Sequence, residues 1–208
     1  MFDDTNIAIN PLAILKPEKE PRRYTLAEFL RRSEKSEELL EYYDGIITKL
    51  PMARTPHNII STNMAFELES AFRASGKDYY VMNSQQLIYL PKLNFGVYPD
   101  VLVVCEKPQH YDNNQVLLIN PVLVVEVLSR STRAYDRKEK FNAYKTLDSF
   151  KEYVLIDQKK CYVETRFKEA PNLWREEAYS DFSEKVVLKS VDCAIDMAMI
   201  YRKIEGLK

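Results

Sequence analysis

The chain has 208 residues, which is enough for one α/β domain with a sizeable core and too few for two full cores. Its 30 basic and 31 acidic side chains nearly cancel, so it lacks the basic excess of a protein that coats nucleic acid. Any contact with nucleic acid must therefore come from a local basic patch.

The sequence also excludes several classes of site. Cys105, Cys161 and Cys193 lie far apart and form neither a zinc motif nor a disulfide framework. The four glycines form no phosphate-binding loop. No apolar run has the length of a membrane span and the start lacks the basic region of a signal peptide, so we expect a cytoplasmic protein without membrane segments.

The N-terminal third begins with an expected arm. Residues 1–23 carry scattered prolines and no hydrophobic period, which predicts an extended segment before one domain over residues 24–208. Thr25 and Glu28 have the spacing of a capping box, which predicts a short helix over 25–32. A turn signal then precedes a predicted strand over 46–50.

Helical and strand periods alternate through the rest of the chain. Helices are predicted over 57–72, 135–147 and about 196–204, and strands over 79–82, 85–90, 97–104, 121–128, 153–157, 161–167, 176–179 and 186–188. Two of these strands, 97–104 and 121–128, are almost wholly apolar, as in strands covered on both faces. The helix between the strands 121–128 and 153–157 predicts a β–α–β crossover and hence a parallel strand pair.

Two carboxylates stand out in the apolar strands. Asp100 follows a proline at the start of one strand, and Glu126 interrupts an apolar row in the other. Because a buried carboxylate needs a cation, a metal ion or a proton, Glu126 requires a partner. If the two strands are neighbours, both side chains reach one cleft, where hard oxygen ligands suit Mg²⁺ or Mn²⁺ better than zinc.

Both carboxylates also have a purely structural interpretation. The Pro-Asp pair that contains Asp100 is compatible with a simple turn. Glu126 would face water if its strand were at the edge of the sheet. His57, which follows Pro56, is compatible with a helix cap and with a site residue, and the structural interpretation is favoured.

Lys140 is the candidate cation. It lies four residues after Asp136 and four before Tyr144, so the three side chains project from nearly the same side of the predicted helix. Its ammonium group would orient an attacking water or stabilise a phosphoryl transition state. The alternative is that Asp136 and Lys140 form an exposed ion pair, worth roughly 0.3–0.5 kcal/mol.

A local basic cluster surrounds the start of this helix. It consists of Arg130, Arg133, Arg137 and Lys138. These side chains are predicted to meet a DNA backbone, although they are also compatible with a solvated face.

Four segments in order carry a family resemblance. They are Tyr-Pro-Asp-Val-Leu-Val-Val at 98–104, Pro-Val-Leu-Val-Val-Glu-Val-Leu-Ser-Arg-Ser-Thr at 121–132, Asp-Arg-Lys-Glu-Lys-Phe-x-x-Tyr at 136–144 and Glu-Tyr-Val-Leu-Ile-Asp at 152–157. Together they resemble the Uma-two family, a bacterial family assigned to the endonucleases within the PD-(D/E)XK superfamily. The similarity runs from roughly residue 24 to residue 160.

The resemblance implies an α/β (α+β) fold with a restriction-endonuclease-like core, in which helices flank a central mixed sheet. It implies that Asp100 and Glu126 bind Mg²⁺ or Mn²⁺, and Glu41 is the candidate for a further acidic ligand. The superfamily's usual lysine position is Leu128 here, and the resemblance maps the relocated lysine to Lys140.

The leading hypothesis is therefore a Mg²⁺-dependent DNA endonuclease. Its predicted catalytic residues are Asp100, Glu126 and Lys140. Its predicted substrate-binding residues are Arg130, Arg133 and Arg137. The competing hypothesis is a non-catalytic nucleic-acid-binding or assembly module that keeps the fold, as Leu128 suggests. A homodimer whose apolar strands are covered by the partner is a third expectation.

Overall fold

The structure, a computed structural model, describes residues 22–207, so all but the last two residues of the expected arm over 1–23 lie outside the described part. Its elements in chain order are α1 (Leu26–Ser33), β1 (Leu40–Tyr43), β2 (Ile46–Lys49), α2 (Thr55–Ser75), β3 (Tyr80–Asn83), β4 (Ile88–Leu90), β5 (Phe95–Val97), β6 (Val101–Val104), β7 (Leu123–Leu128), α3 (Arg133–Tyr135), a π-helical turn (Asp136–Lys140), α4 (Phe141–Tyr144), β8 (Glu152–Asp157), β9 (Val163–Ala170), β10 (Leu173–Tyr179), β11 (Lys185–Leu188), β12 (Cys193–Asp196) and α5 (Met197–Ile200). Among the helices of residues 22–207, none has the length and apolarity to span a membrane.

A six-stranded mixed sheet lies at the centre of the fold, in the order β10-β9-β8-β7-β6-β3. β7 and β8 are parallel, and the other neighbouring pairs of this sheet are antiparallel. The helical segment 133–144 connects the parallel pair, which confirms the predicted β–α–β crossover. The apolar runs of β6, β7 and β8 are fully buried, as strands covered on both faces require.

Different elements cover the two faces of the central sheet. One face packs against α2, α5 and the β11–β12 hairpin, around a core that includes Met64, Val125 and Ile195. The opposite face packs against β4, β5 and the helical segment 133–144, around Leu102 and Phe141. A second, four-stranded sheet in the order β2-β1-β5-β4 therefore lies over the same face as that helical segment.

The local signals at the N-terminal side are confirmed. Thr25 is the N-cap of α1, and it exchanges hydrogen bonds with Glu28 in both directions as a capping box does. Asp44 and Gly45, which link β1 to β2, have φ values of 39° and 89°, the left-handed pair that a tight hairpin requires. Gly76 ends α2 in the same left-handed region, with φ of 69°.

The strand predicted over 97–104 is wrong as a single element. Val97 ends β5 and pairs with Ile88, whereas Val101 begins β6 and pairs with Val125 in the other sheet. The chain changes sheets at Pro99, which has no N–H to donate to a strand ladder. As a result, Asp100 lies just outside the strand ladder.

The closing helix is shorter than predicted. The pattern over 196–204 yields the single turn α5, and the residues before it form β12, which pairs with β11. The helix does not continue to residue 204, because the chain turns after Ile200 and Lys203 has a left-handed φ of 65°.

Candidate active site

Asp100 and Glu126 meet across neighbouring strands. β6 and β7 pair with Val101 opposite Val125, and the register continued by one residue sets Asp100 opposite Glu126. β7 has a strand on each side, and Glu126 is only 3% exposed. The alternative in which Glu126 faces water from an edge strand is therefore wrong, and the expected adjacency of the two strands is confirmed.

Asp100 uses one carboxylate oxygen to hold its position. The backbone N–H of Val127 donates to Asp100 Oδ2 at 2.6 Å, and His57 Nε2 lies 3.1 Å from the same oxygen. No hydrogen bond within residues 22–207 involves the other oxygen, Oδ1. Since the side chain is 16% exposed, Asp100 is fixed by its protein contacts and still presents one oxygen to a ligand.

Glu126 is held by the helical segment that crosses over it. Lys140 Nζ donates to both carboxylate oxygens, at 3.1 and 3.2 Å, and the Tyr144 hydroxyl donates to Oε1 at 3.1 Å. Lys140 also donates to the Tyr98 carbonyl oxygen at 3.0 Å. All of these groups are buried, so the partner that the sequence required for Glu126 is Lys140.

Two more carboxylates approach the same ammonium group. Lys140 Nζ lies 3.6 Å from Glu41 Oε1 and 3.7 Å from Asp136 Oδ1, and both acidic residues are buried. The Tyr135 hydroxyl donates to Glu41 Oε2 at 3.3 Å, whereas Glu41 Oε1 has no hydrogen-bond partner within residues 22–207. The interpretation of Asp136 and Lys140 as an exposed pair is therefore wrong.

The π-helical turn explains how Lys140 reaches β7. Residues Asp136–Lys140 form a wide turn between α3 and α4, and both ends of this turn are buried. The Tyr153 hydroxyl donates to the backbone carbonyl of Asp136 at 2.9 Å and thereby anchors the turn to the sheet. Turns of this type are frequent at functional sites.

The cluster has more acidic groups than cations to balance them. Burial raises the pKa of Glu126 well above its usual value, and the charges of Asp136 and Asp100 add to this effect while Lys140 opposes it. Burial likewise raises the pKa of Glu41, and it raises that of Asp136 to about 6. Such shifts mean that a further positive charge would be bound favourably here.

The surroundings of Lys140 favour its charged form. Burial alone would lower the pKa of its ammonium group, but Glu126, Glu41 and Asp136 together raise it well above the usual value. Lys140 is therefore held as a cation, and it serves all three carboxylates at once.

His57 is a site residue for which the sequence interpretation favoured a structural role. It lies in the first turn of α2, and its imidazole contacts Asp100. Burial lowers the pKa of His57, but the hydrogen bond to Asp100 and the charge of that residue outweigh burial and raise the pKa. The sequence contains no local signal for this contact, since 43 positions separate the two residues.

The predicted arginine cluster is divided in the structure. Arg133 pairs with Asp157 at 2.5 Å, and Arg137 pairs with Glu164 on β9. Arg130 is exposed and makes no ion pair within residues 22–207. Of the three arginines, Arg130 alone has a charge that is not already matched by a carboxylate of the described chain.

The donor set fits a magnesium-type ion. Within residues 22–207 no three ligand-type side chains surround an open point, because Glu41, Glu126 and Asp136 converge on Lys140 instead. Mg²⁺, however, is usually held by one or two carboxylates, with waters and phosphate oxygens as its other ligands. Asp100, with its unused Oδ1, and Glu126 are of that ligand type, and Glu126 shares its two oxygens with Lys140.

The sequence is similar to a known protein family and to two cyanobacterial proteins. The model of the Uma2 (Uma-two) family, described as "Putative restriction endonuclease", matches residues 26–198. "Uncharacterized protein sll1609" of Synechocystis sp. is 35% identical over 138 residues, which cover 66% of this chain and 76% of that protein. "Uncharacterized protein slr1290" of the same organism is 30% identical over 175 residues, which cover 84% of this chain and 90% of that protein.

A solved structure shares the fold. The crystal structure of "a putative nuclease belonging to DUF820" from Anabaena variabilis aligns with a TM-score of 0.66 and covers 86% of this chain and 97% of that one. The two sequences are 19% identical, so this likeness concerns the fold alone. The expected α/β fold with a restriction-endonuclease-like central mixed sheet and flanking helices is confirmed.

Proposed function

Because the chain belongs to the Uma2 family, we propose that it is a metal-dependent endonuclease that hydrolyses phosphodiester bonds of DNA. Asp100 and Glu126 hold Mg²⁺ or Mn²⁺, Glu41 is a further acidic ligand, and Lys140 assists the attack of water. One observation carries the proposal: two carboxylates lie opposite each other on adjacent strands, with an ammonium group in hydrogen-bond contact with one of them.

The residues around Asp100 and Glu126 have different proposed roles. The Val127 N–H and the His57 imidazole orient the Asp100 carboxylate. Lys140 places a positive charge beside Glu126 that stabilises the negative charge developing on the phosphate. Its three N–H donors serve Glu126 and the Tyr98 carbonyl, so it orients a water molecule by exchanging one of these hydrogen bonds. A bound divalent ion would supply the remaining chemistry, which is to acidify water and neutralise phosphate charge.

The departure at Leu128 leaves the cation role to Lys140. Leu128 is 1% exposed and packs in the core beside the helical segment, so the usual strand position supplies no cation. Lys140 brings an ammonium group to the same carboxylate from the crossover helix, at 3.1 Å. The relocation implied by the family resemblance is thus compatible with the geometry.

We expect purified protein to cleave plasmid DNA in Mg²⁺ or Mn²⁺ and to lose this activity in EDTA. Asp100→Asn and Glu126→Gln should each reduce cleavage on the order of 100-fold or more, because each removes a charged ligand of the divalent ion that stabilises the transition state. Agarose gels of supercoiled, nicked and linear DNA measure the loss. Asp148→Asn is the matched control, since this side chain is 99% exposed and should leave cleavage unchanged; full activity in both site variants would refute the assignment.

The second candidate function is the non-catalytic module, which Leu128 favours. It predicts that the protein binds nucleic acid, takes up no metal and leaves the DNA intact. The homodimer stays a prediction that gel filtration with light scattering addresses.

A further inference from the structure

Topology brings the metal-binding candidates to one edge of the central sheet. β7 and β8 are parallel, so their carboxyl ends meet at the same edge, and the antiparallel β6 begins there. Asp100 immediately precedes β6, and it contacts the first turn of α2 through His57. We call this place the site edge, formed by residues 54–57, 98–100, 129–133 and 157–160.

Hydrogen bonds fix the segments of the site edge to one another. The Gln158 side-chain amide donates to the Leu128 carbonyl at 2.9 Å and ties the β8–β9 turn to the end of β7. Arg133 pairs with Asp157 at 2.5 Å and ties the helical segment to the same turn. The loops around Asp100 therefore form a connected rim.

Four cations on this rim are exposed and lack an ion pair within residues 22–207. They are Arg54, Arg130, Lys159 and Lys160. Arg54, Arg130 and Lys159 each lie within three residues of an anchored residue (His57, Val127 or Asp157), so each Cα is at most roughly 11 Å from that anchor.

We propose that Arg54, Arg130, Lys159 and Lys160 form the surface that binds the phosphate backbone of duplex DNA. This inference rests on the proposed nuclease function. It keeps Arg130 from the sequence prediction and replaces Arg133 and Arg137 with Arg54, Lys159 and Lys160. Arg133 and Arg137 would have to leave Asp157 and Glu164 to bind a phosphate, whereas the four rim cations have no carboxylate partner in the described part of the chain.

Charge supports the same assignment. Within residues 22–207 three buried carboxylates share the single ammonium group of Lys140, so the site itself does not attract phosphate until a divalent ion is bound. Exposed cations on the rim supply this attraction and position the backbone without reading its sequence. The chain as a whole is nearly neutral, with a formal net charge of −1, so such binding has to be local.

The test measures binding in EDTA, where cleavage does not occur. Fluorescence anisotropy with a labelled duplex is recorded between roughly 50 and 200 mM salt, for the wild type and for Arg130→Ala/Lys159→Ala. Each lost phosphate contact should reduce the magnitude of the slope of log K against log salt by about 0.9, so the double variant should lose about 1.8. Arg54→Ala/Lys160→Ala should lose a similar amount.

The matched control lies at the opposite edge of the sheet. Lys107 follows the end of β6, and Lys151 precedes β8; both are exposed. Lys107→Ala/Lys151→Ala removes the same charge and should keep the wild-type slope. Thermal unfolding of each variant checks that its fold is intact.

The outcomes separate the two proposals. If the wild type cleaves DNA and the rim variants keep its salt slope, the rim assignment is overturned and the nuclease stands. If the rim variants lose DNA binding but the wild type never cleaves, the rim assignment is supported and the nuclease falls. The inference is also overturned if the control variant loses as much of the salt slope as the rim variants do. It is likewise overturned if the wild type does not bind DNA or binds duplex RNA more tightly.

Discussion

Lys140→Met is expected to lower the free energy of unfolding by about 3–5 kcal/mol at pH 7.5, the usual effect of removing one partner from a buried ion pair. Lys140 is the ammonium group that Glu126, Glu41 and Asp136 share. Methionine nearly conserves the length of the side chain, so the loss of charge dominates over the loss of packing. Urea unfolding followed by circular dichroism measures the difference.

The control for this substitution lies five residues further on. Lys145 is exposed, and Lys145→Met should change the stability by no more than about 0.5 kcal/mol. Mn²⁺ should stabilise the Lys140→Met variant more than the wild type, since the ion supplies positive charge where the ammonium group is missing. Unchanged stability of Lys140→Met would contradict the idea that these carboxylates depend on one cation.

Asp136→Asn is expected to have the opposite effect and to stabilise the protein at neutral pH. Burial raises the pKa of Asp136 from 3.8 to about 6, so the folded state favours the protonated, uncharged side chain. The stability linked to this proton is fully present below pH 3.8 and is lost as the pH rises to about 6. Asparagine avoids that loss, with a gain of up to about 3 kcal/mol above pH 6.

Denaturant unfolding at several pH values measures this effect. The stability of the variant should exceed that of the wild type at pH 7.5, and the two should converge near pH 4. Asp148→Asn, at a fully solvated aspartate, should show no such pH-dependent gain. A destabilised Asp136→Asn at pH 7.5 would mean that the carboxylate is a net stabilising partner of Lys140 rather than a charge retained for function.

The architecture around the site could be predicted because its signals are local. The apolar runs of β7 and β8 and the helical spacing between them specify a crossover with parallel strands. Glu126 was detectable because a carboxylate in such a run needs a partner. Lys140 was detectable because its spacing from Tyr144 places both on one side of a helix.

The remaining features depend on contacts between distant segments. The arginines of the crossover helix pair with Asp157 and Glu164, and no pattern along the chain indicates those partners. His57 likewise reaches Asp100 from another element. The π-helical turn at Asp136–Lys140 has no recognised sequence signal, and the apolar stretch across Pro99 masked a change of sheet.

Calorimetric titration with Mn²⁺ detects the proposed metal site without requiring cleavage. We expect a saturable binding heat in the wild type that is lost in Asp100→Asn and in Glu126→Gln and kept in Asp148→Asn. Wild-type protein that takes up no Mn²⁺, or site variants that bind it as tightly as the wild type, would contradict the assignment of Asp100 and Glu126 as metal ligands.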